Sequence, residues 1–517
     1  MVSSLRRTEP VVGVGPGPLS CADVVAVARH GAHVELTAEA EQRITAGRAV
    51  VDELAHRPDP HYGVSTGIGA LATTRVGAAD RTRMQQSILR SHAAGAGADV
   101  EPEVVRAMMA LRLSTLATGH TGVRVSTARA YAALLNSGIV PCVPEFGSLG
   151  CSGDLAPLSH CALVLTGEGV VRDAAGVRGP AGPALAAAGL TPVVPVEKEG
   201  LALVNGTDGM LGMVMLACAD LDLLLRSADV TAAMSVEALL GTDAAFAADL
   251  QALRPHPGQA ASAGALRSLL AGSAIVQSHS GPSDTRVQDA YCLRCVPAVH
   301  GAARDTLDHA VVVAEREAAS AVDNPVVTPD GQVRSSGNFH GAPLAYVLDF
   351  LAIAAADVAG MAERRTDRML DPARSHGLPA FLASEPGVDS GVMIAHYTQA
   401  ALVGELRRLA VPASVESIPT SAMQEDHVSF GWSAARKLRQ ALDGLATVLG
   451  VELLVSARAL DLRAPLTPAS ATGAVRDRLR ADVAGPGPDR FLAPEVEAAT
   501  ALVRAGQVVA AAGPAVA

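Results

Sequence analysis

The strongest constraint on the fold is a leucine pattern near the C-terminal end of the chain. Between residues 432 and 463, leucines recur at steps of three, four and seven residues: Leu438, Leu442, Leu445, Leu449, Leu453 and Leu460. Side chains at these steps share one face of an α-helix, so the pattern predicts a long helix that faces a core. Similar patterns cover residues 209–225, 306–321, 345–369 and 393–409.

These patterns predict a mainly α fold in three consecutive regions. Residues 1–200 form an irregular, glycine-rich N-terminal region, and residues 201–465 form an elongated bundle of long helices. Residues 466–517 are expected to be a helical segment that ends in a loose tail from residue 509. Gly, Pro and Ala are frequent in residues 170–195, which indicates a surface excursion.

Charge and cysteine content narrow the class of protein. The net charge is −11 without a basic stripe, which argues against nucleic-acid and anionic-membrane partners. Residues 1–10 precede no apolar signal-peptide core, and no uncharged span is long enough to cross a bilayer. We expect a cytoplasmic protein that acts on a small molecule. The seven cysteines indicate reduced thiols, and the Cys292/Cys295 pair lacks the further ligands of a metal site.

The segment at residues 147–160, GSLGCSGDLAPLSH, carries unusual chemistry. It predicts a glycine-rich loop that enters a helix, with Asp154 near the helix N-terminus, where its charge suits the dipole. The spacing of a serine-hydrolase elbow is missing, and so is the Gly-Lys-Ser/Thr of a phosphate loop. The Gly153 nitrogen can instead attack the Cys151 carbonyl carbon, because glycine has no Cβ to obstruct the bend. Loss of water closes a five-membered ring, and dehydration of Ser152 leaves an electrophilic methylidene.

This segment resembles the signature of the histidine and phenylalanine ammonia-lyase family, and so do further segments in the same order. They are residues 61–69, 199–207, 286–295, 337–340 and 423–427. The resemblance implies a 4-methylidene-imidazole-5-one group, formed autocatalytically without an external cofactor. Cys151 and Gly153 would form the 5-imidazolinone cross-link, with Ser152 as 2,3-didehydroalanine. The family more often has Ala in place of Cys151, but only the backbone enters the ring.

The resemblance also implies roles for the polar residues of these motifs. The substrate amine would add to the methylidene, and Tyr62 would then remove the β-proton as a base. An ordinary tyrosine has a pKa of about 10, and we expect positive helix ends at the site to lower the pKa of Tyr62. Arg294 would hold the substrate carboxylate as a bidentate partner.

The remaining motif residues would position the substrate. Tyr291, which belongs to the expected catalytic set, would orient the ring and the amine together with Asn205 and Gln288. Phe339 would form part of the pocket wall. Asp154 would either assist ring closure or only stabilise a helix.

Two positions in the sequence indicate which side chain the substrate has. Phenylalanine and tyrosine lyases usually have Phe-Leu or His-Leu in place of Ser91-His92, and Gln in place of Glu425. His92 and Glu425 can hydrogen-bond both nitrogens of an imidazole. A phenyl ring would leave both polar groups without a partner, at a cost of about 1–3 kcal/mol for each buried group. We therefore expect L-histidine as substrate and trans-urocanate as product, the first step of histidine degradation. Whether Glu425 also relays a proton stays open.

Two kinds of alternative function remain, related enzymes and a protein without catalytic activity. A phenylalanine or tyrosine ammonia-lyase, or a 2,3-aminomutase, would use the same electrophile. A catalytically silent helical scaffold is disfavoured because Ser152, Tyr62 and Arg294 are all present. Ile68 and Met423 depart from the family pattern and affect the expected pocket shape. We expect no direct substrate role for six histidines, namely His61, His120, His160, His300, His340 and His427.

The resemblance finally implies an assembly. The family forms homotetramers of mainly helical subunits, with active sites built from several subunits. Tyr62, Asn205 and Arg294 are therefore expected to meet across subunit interfaces.

Overall fold

The computed structural model describes residues 11–281 and 287–516. Residues 1–10, on which the prediction of no signal peptide depends, lie outside the described residues, as does Arg286 of the motif at residues 286–295. The protein is 59% helical, and the described residues form 20 α-helices and nine short strands. The predicted mainly α fold is confirmed.

The helices and strands are numbered in chain order. The α-helices are α1 (Cys21–His30), α2 (Ala38–Ala55), α3 (Arg81–His92), α4 (Pro102–Ala117), α5 (Val125–Asn136), α6 (Ala156–Leu165), α7 (Ala181–Ala187), α8 (Glu199–Ala202), α9 (Asp208–Ala238), α10 (Ala248–Ala252), α11 (Pro257–Leu270), α12 (Ala274–Gln277), α13 (Tyr291–Arg294), α14 (Val296–Ala318), α15 (Ala342–Leu370), α16 (Met393–Leu409), α17 (Gly431–Asp461), α18 (Ser470–Arg480), α19 (Ala493–Arg504) and α20 (Gln507–Ala512). The strands are β1 (Val11–Val14), β2 (His33–Leu36), β3 (Ala96–Asp99), β4 (Val140–Pro141), β5 (Pro144–Phe146), β6 (Val170–Arg172), β7 (Arg178–Pro180), β8 (Val326–Val327) and β9 (Val333–Arg334).

The chain divides into two compact units. The first consists of Met1–Leu216, Val311–Leu348 and Pro412–Arg436, and the second of Ala217–Ala310, Asp349–Val411 and Lys437–Ala517. Helices α9, α14, α15 and α17 each begin in one unit and end in the other. The division into three consecutive regions stays a prediction about sequence organisation.

The first unit contains all the described strands and is built around α4. Every residue of α4 from Met108 to Ala117 is buried. The stretch is mostly apolar, and its one charged residue, Arg112, pairs with the buried Asp208 carboxylate at 3.1 Å. Helices α1 and α5 pack against it, β1 pairs with β2 in parallel, and β3 pairs with β5 in antiparallel fashion.

Residues 170–195, predicted as a surface excursion, are more ordered than expected. Strand β6 pairs with β4 and with β7, so three short strands form one antiparallel sheet, and α7 follows directly. Val171 and Leu185 are buried. Their apolar side chains attach the segment to the core.

The second unit is a helical assembly around the later part of α17. The six leucines that predicted this helix are all buried. The buried Glu452 carboxylate accepts hydrogen bonds from Arg365 Nε (2.5 Å) and Nη2 (3.0 Å), Thr231 Oγ1 (2.8 Å) and Ser235 Oγ (2.8 Å). This network joins α9, α15 and α17, and it satisfies a charge that would otherwise be costly to bury.

Helices α15 and α17 are long and apolar enough to cross a membrane by length and composition alone. Both contain charged side chains with ionic partners. Asp349 of α15 pairs with Lys437 of α17 (2.9 Å), and Arg365 of α15 pairs with Glu452 of α17. Charged residues with such partners are typical of helices packed inside a protein.

The prediction of a loose tail from residue 509 is wrong for the described residues. Helix α20 is followed by a 3₁₀ helix at Gly513–Val516. Val508, Ala512 and Val516 are buried. Helix α20 packs against α18, and the 3₁₀ helix packs against α11.

Candidate active site

The loop at residues 147–155 leads directly into α6, as the sequence predicted. Its path favours glycine at two points, because φ is +67° at Gly150 and +70° at Gly153. A Cβ atom at Gly153 would lie only 2.3 Å from the Gly206 carbonyl oxygen. No side chain can replace the hydrogen at this position without moving the backbone.

Several backbone contacts hold the loop in place. The Gly150 carbonyl accepts from Ser429 Oγ (2.7 Å) and from the Gly341 amide (2.9 Å). The Gly153 amide donates to the Phe339 carbonyl at 2.9 Å. Segments distant in sequence therefore fix the tripeptide that is expected to cyclise.

Asp154 caps a different helix from the one expected. Its Oδ2 accepts from the Gly209 amide (2.7 Å) and the Met210 amide (3.3 Å) in the first turn of α9, whereas α6 was predicted. Ser148 Oγ donates to Oδ1 at 3.3 Å. Burial raises the pKa of Asp154 to about 8, so the carboxyl is mainly protonated at neutral pH and brings little charge to the helix dipole.

A cavity of about 890 Å³ lies beside this loop, and all its lining residues belong to the first unit. The lining includes seven of the residues predicted to form the site, namely Tyr62, His92, Cys151, Ser152, Asn205, Phe339 and Glu425. Among the residues that the structure describes, no Lys or Arg lines the cavity.

Glu425 and Asn205 make direct contact with Ser152. The Ser152 hydroxyl donates to Glu425 Oε1 at 2.5 Å, and Asn205 Nδ2 donates to the Ser152 carbonyl at 2.7 Å. The other oxygen of Glu425 accepts from Thr420 Oγ1 at 3.1 Å. The carboxylate is thus directed at the Ser152 side chain, which loses its hydroxyl in the expected formation of the electrophile.

Tyr62 lies in the same cavity, and its hydroxyl accepts a hydrogen bond from the Gly69 amide at 2.9 Å. Burial raises the pKa of Tyr62 above its ordinary value, and the charges of Glu425 and Asp323 add to the rise. The Gly69 hydrogen bond opposes it. The expected lowering of the Tyr62 pKa is therefore wrong for the described chain, because desolvation outweighs the Gly69 hydrogen bond.

His92 and Cys151 are both electrically neutral at pH 7. His92 is the last residue of α3, its Nδ1 lies 3.0 Å from Ser91 Oγ, and burial lowers its pKa. Burial, with help from Glu425, raises the pKa of the Cys151 thiol to about 11. A protonated thiol is a poor nucleophile, which agrees with a role for the Cys151 backbone alone.

Gly153 belongs to the first unit but is not among the lining residues. The three remaining predicted residues, Gln288, Tyr291 and Arg294, belong to the second unit and do not line the cavity. Tyr291 and Arg294 form the ends of α13, with Arg294 Cζ 4.8 Å from the centre of the Tyr291 ring. Tyr291 is 70% exposed, and Gln288 is exposed as well. Arg294 Nε is buried without a hydrogen-bond partner among the described residues.

The structure adds residues that sequence reasoning missed or set aside. Thr420 and Gly69 hydrogen-bond to predicted site residues, and both lie in or beside the family segments. His340 and His427 line the cavity with their rings stacked, 5.6 Å apart and 3° from parallel. The position of these four residues in or beside the family segments was the only sequence signal for them. Ile68 lines the cavity, whereas Met423 is 67% exposed and does not.

Comparison with known proteins places this chain among enzymes. The family model described as aromatic amino acid lyase matches residues 19–481. A histidine ammonia-lyase of Streptomyces coelicolor is 63% identical over 97% of this chain and 98% of its own length.

Solved structures of similar proteins also belong to this group of enzymes. The histidine ammonia-lyase of Trypanosoma cruzi has a TM-score of 0.90 at 37% identity, over 98% of this chain and 95% of that one. The tyrosine aminomutase of Streptomyces globisporus has a TM-score of 0.91 at 36% identity, over 97% of this chain and 98% of that one. The chain belongs to the aromatic amino acid lyase family.

Proposed function

We propose that this protein is a histidine ammonia-lyase, which eliminates ammonia from L-histidine to give trans-urocanate in the first step of histidine degradation. The observation that carries the proposal is the convergence of His92, Glu425 and Ser152 on one cavity. The relative from Streptomyces coelicolor, named for this activity, supports it.

The tripeptide fits a 4-methylidene-imidazole-5-one group formed from Cys151, Ser152 and Gly153. Gly153 lies where only a residue without Cβ can be accommodated, against the Gly206 carbonyl. Asn205 donates to the Ser152 carbonyl, which would become the ring carbonyl. The group supplies an electrophilic carbon that makes the substrate amine a better leaving group.

The chain's own residues supply binding and proton transfer. Neutral His92 and the Glu425 carboxylate offer hydrogen bonds to the two nitrogens of an imidazole, and Phe339 contributes an apolar wall. Tyr62 is the base for the β-proton. The Asn205 amide withdraws electron density from the Ser152 carbonyl, because it donates a hydrogen bond to that oxygen.

The carboxylate of an amino acid needs a cationic partner that the described cavity lining does not contain. We assign this role to Arg294, assisted by Tyr291 and Gln288, in a cytoplasmic homotetramer with active sites shared between subunits. The orphaned Nε of Arg294 and the exposed Tyr291 ring support an unsatisfied binding surface there.

Assembly can be tested by complementation. Tyr62→Phe and Arg294→Met should each be nearly inactive alone. Mixed tetramers from co-expression should regain part of the activity, because some sites then combine an intact Tyr62 with an intact Arg294 from another subunit. Co-expressed variants that stay as inactive as their parents, in tetramers shown to be mixed, would contradict shared sites.

The activity itself has a direct test. Purified protein is mixed with L-histidine without added cofactor, and urocanate absorbance in the near ultraviolet is followed together with ammonia release. Ser152→Ala should abolish turnover and remove the mass deficit of two waters at the tripeptide. Turnover of phenylalanine or tyrosine but not histidine, or a β-amino acid as product, would replace the proposal with an alternative lyase or an aminomutase.

A further inference from the structure

Glu425 is held by a turn with an unusual backbone. Ser421, Ala422 and Met423 have φ angles of 52°, 54° and 68°, all in the left-handed region that favours glycine. Three consecutive non-glycine residues adopt this conformation only where surrounding contacts impose it. Contacts around the turn therefore impose its conformation.

Backbone and side-chain bonds close the turn at its two ends. The Thr420 amide donates to the Glu425 carbonyl (2.9 Å), and the Glu425 amide donates to the Thr420 carbonyl (3.3 Å). The Thr420 hydroxyl donates to Glu425 Oε2 at 3.1 Å. The two backbone hydrogen bonds are enough to close the turn. The hydrogen bond from the Thr420 hydroxyl therefore serves to hold the Glu425 carboxylate.

The side-chain bond determines which oxygen faces the reacting atoms. With Oε2 held by Thr420, Oε1 faces the Ser152 hydroxyl at 2.5 Å. The turn also packs against the 3₁₀ helix Gly69–Leu71, whose first amide binds the Tyr62 hydroxyl. Thr420 thus lies behind Glu425, beside the segment that holds Tyr62.

We propose that Thr420 is a positioning residue for the reaction, which holds the Glu425 carboxylate toward the electrophile and the substrate imidazole. This proposal rests on the proposed histidine ammonia-lyase activity. Without the hydroxyl, the carboxylate can rotate about its side-chain torsions and loses a hydrogen bond to its charged form. Both effects weaken substrate capture.

Matched variants separate positioning from general stability. Thr420→Val keeps the shape of the side chain and removes the donor, whereas Thr420→Ser keeps the donor. Thr118→Val is the control for loss of a threonine hydroxyl outside the cavity lining. Thr118 Oγ1 donates to the Thr115 carbonyl at 2.7 Å and accepts from the His120 amide at 3.3 Å. Each protein is first checked for the two-water mass deficit and for its thermal unfolding midpoint.

We expect Thr420→Val to mature fully and to lose about tenfold in kcat/KM for L-histidine, mostly through KM. Thr420→Ser and Thr118→Val should stay within about twofold of the unmodified protein. If Thr420→Val does not fold, Thr420→Ala takes its place with the same expectation.

Three results would overturn the proposal: unchanged kcat/KM in Thr420→Val, an equal loss in Thr420→Ser, or a loss explained by incomplete maturation. Failure of the proposed function would be distinguishable, since the unmodified protein would then not turn over histidine.

Discussion

Replacing Gly153 with alanine tests whether the backbone path of the tripeptide controls formation of the electrophile. Two costs arise in the structure. The φ of +70° costs a residue with a Cβ about 1–2 kcal/mol. The new Cβ would also lie 2.3 Å from the Gly206 carbonyl oxygen and 2.5 Å from its carbon, well inside the contact distance of about 3.5–4.0 Å.

Gly189 provides a control for the first cost. It has the same φ of +70°, and a Cβ there meets no atom within 4 Å. Gly189→Ala therefore has only the energetic cost of placing a residue with a Cβ at positive φ. Relief of the overlap at Gly153 should add about 1–3 kcal/mol, by analogy with overpacked cores, and should displace the Gly153 nitrogen from the Cys151 carbonyl.

The assay is the intact mass of each purified protein, followed by turnover of L-histidine. Gly189→Ala should show the full two-water deficit and near-normal turnover. Gly153→Ala should show neither, because ring closure depends on close approach of two backbone atoms. Complete maturation of Gly153→Ala would refute the reasoning, since it would show that the Gly206 contact does not constrain the loop.

Three further predictions concern the base, a buried acid and the second unit. Tyr62→Phe should mature normally yet lose about 10²–10⁴-fold in kcat, as measured by urocanate formation; a smaller loss would exclude Tyr62 as the base. Burial raises the pKa of Asp154 from 3.8 to about 8, so the folded chain keeps a proton that the unfolded chain releases above pH 4. The free energy of unfolding should fall by up to about 5 kcal/mol from pH 4 to pH 8 on this account. Asp154→Asn, compared by urea unfolding across that range, should flatten the fall; equal slopes would contradict the shift. Glu452→Gln leaves the Arg365 charge unpaired and should cost about 3–5 kcal/mol in urea unfolding. Arg365→Met combined with Glu452→Gln, which keeps an acceptor for the Thr231 and Ser235 hydroxyls, should recover most of it; a double variant no better than Glu452→Gln would refute the assignment.

The long helices were predictable because their signal is local. The leucines of α17 are all buried, since a helix that packs on one face repeats its apolar side chains at helical steps. The loop at residues 147–155 was likewise located from its own residues, and it does lead into α6.

Long-range contacts account for what the sequence did not reveal. The carboxyl of Asp154 caps α9, which begins far along the chain, and no local pattern distinguishes that partner from α6. The turn at residues 421–423 contains no glycine or asparagine to indicate left-handed backbone. Its conformation follows from the contacts of Thr420 and Glu425. Such features depend on the folded environment, so sequence motifs locate the residues without defining their geometry.

The electrostatics of the cavity link substrate choice to proton removal. Tyr62 must lose its proton to act as a base, yet burial and the charge of Glu425 both raise its pKa. Two acidic groups in one desolvated cavity resist simultaneous ionisation. A substrate imidazole that donates to Glu425, or pairs with it as a cation, offsets that negative charge and makes the Tyr62 phenolate easier to form. A phenyl side chain offers no such compensation. Under the proposed function, the Glu425 carboxylate would therefore both favour histidine and hinder proton removal from phenylalanine.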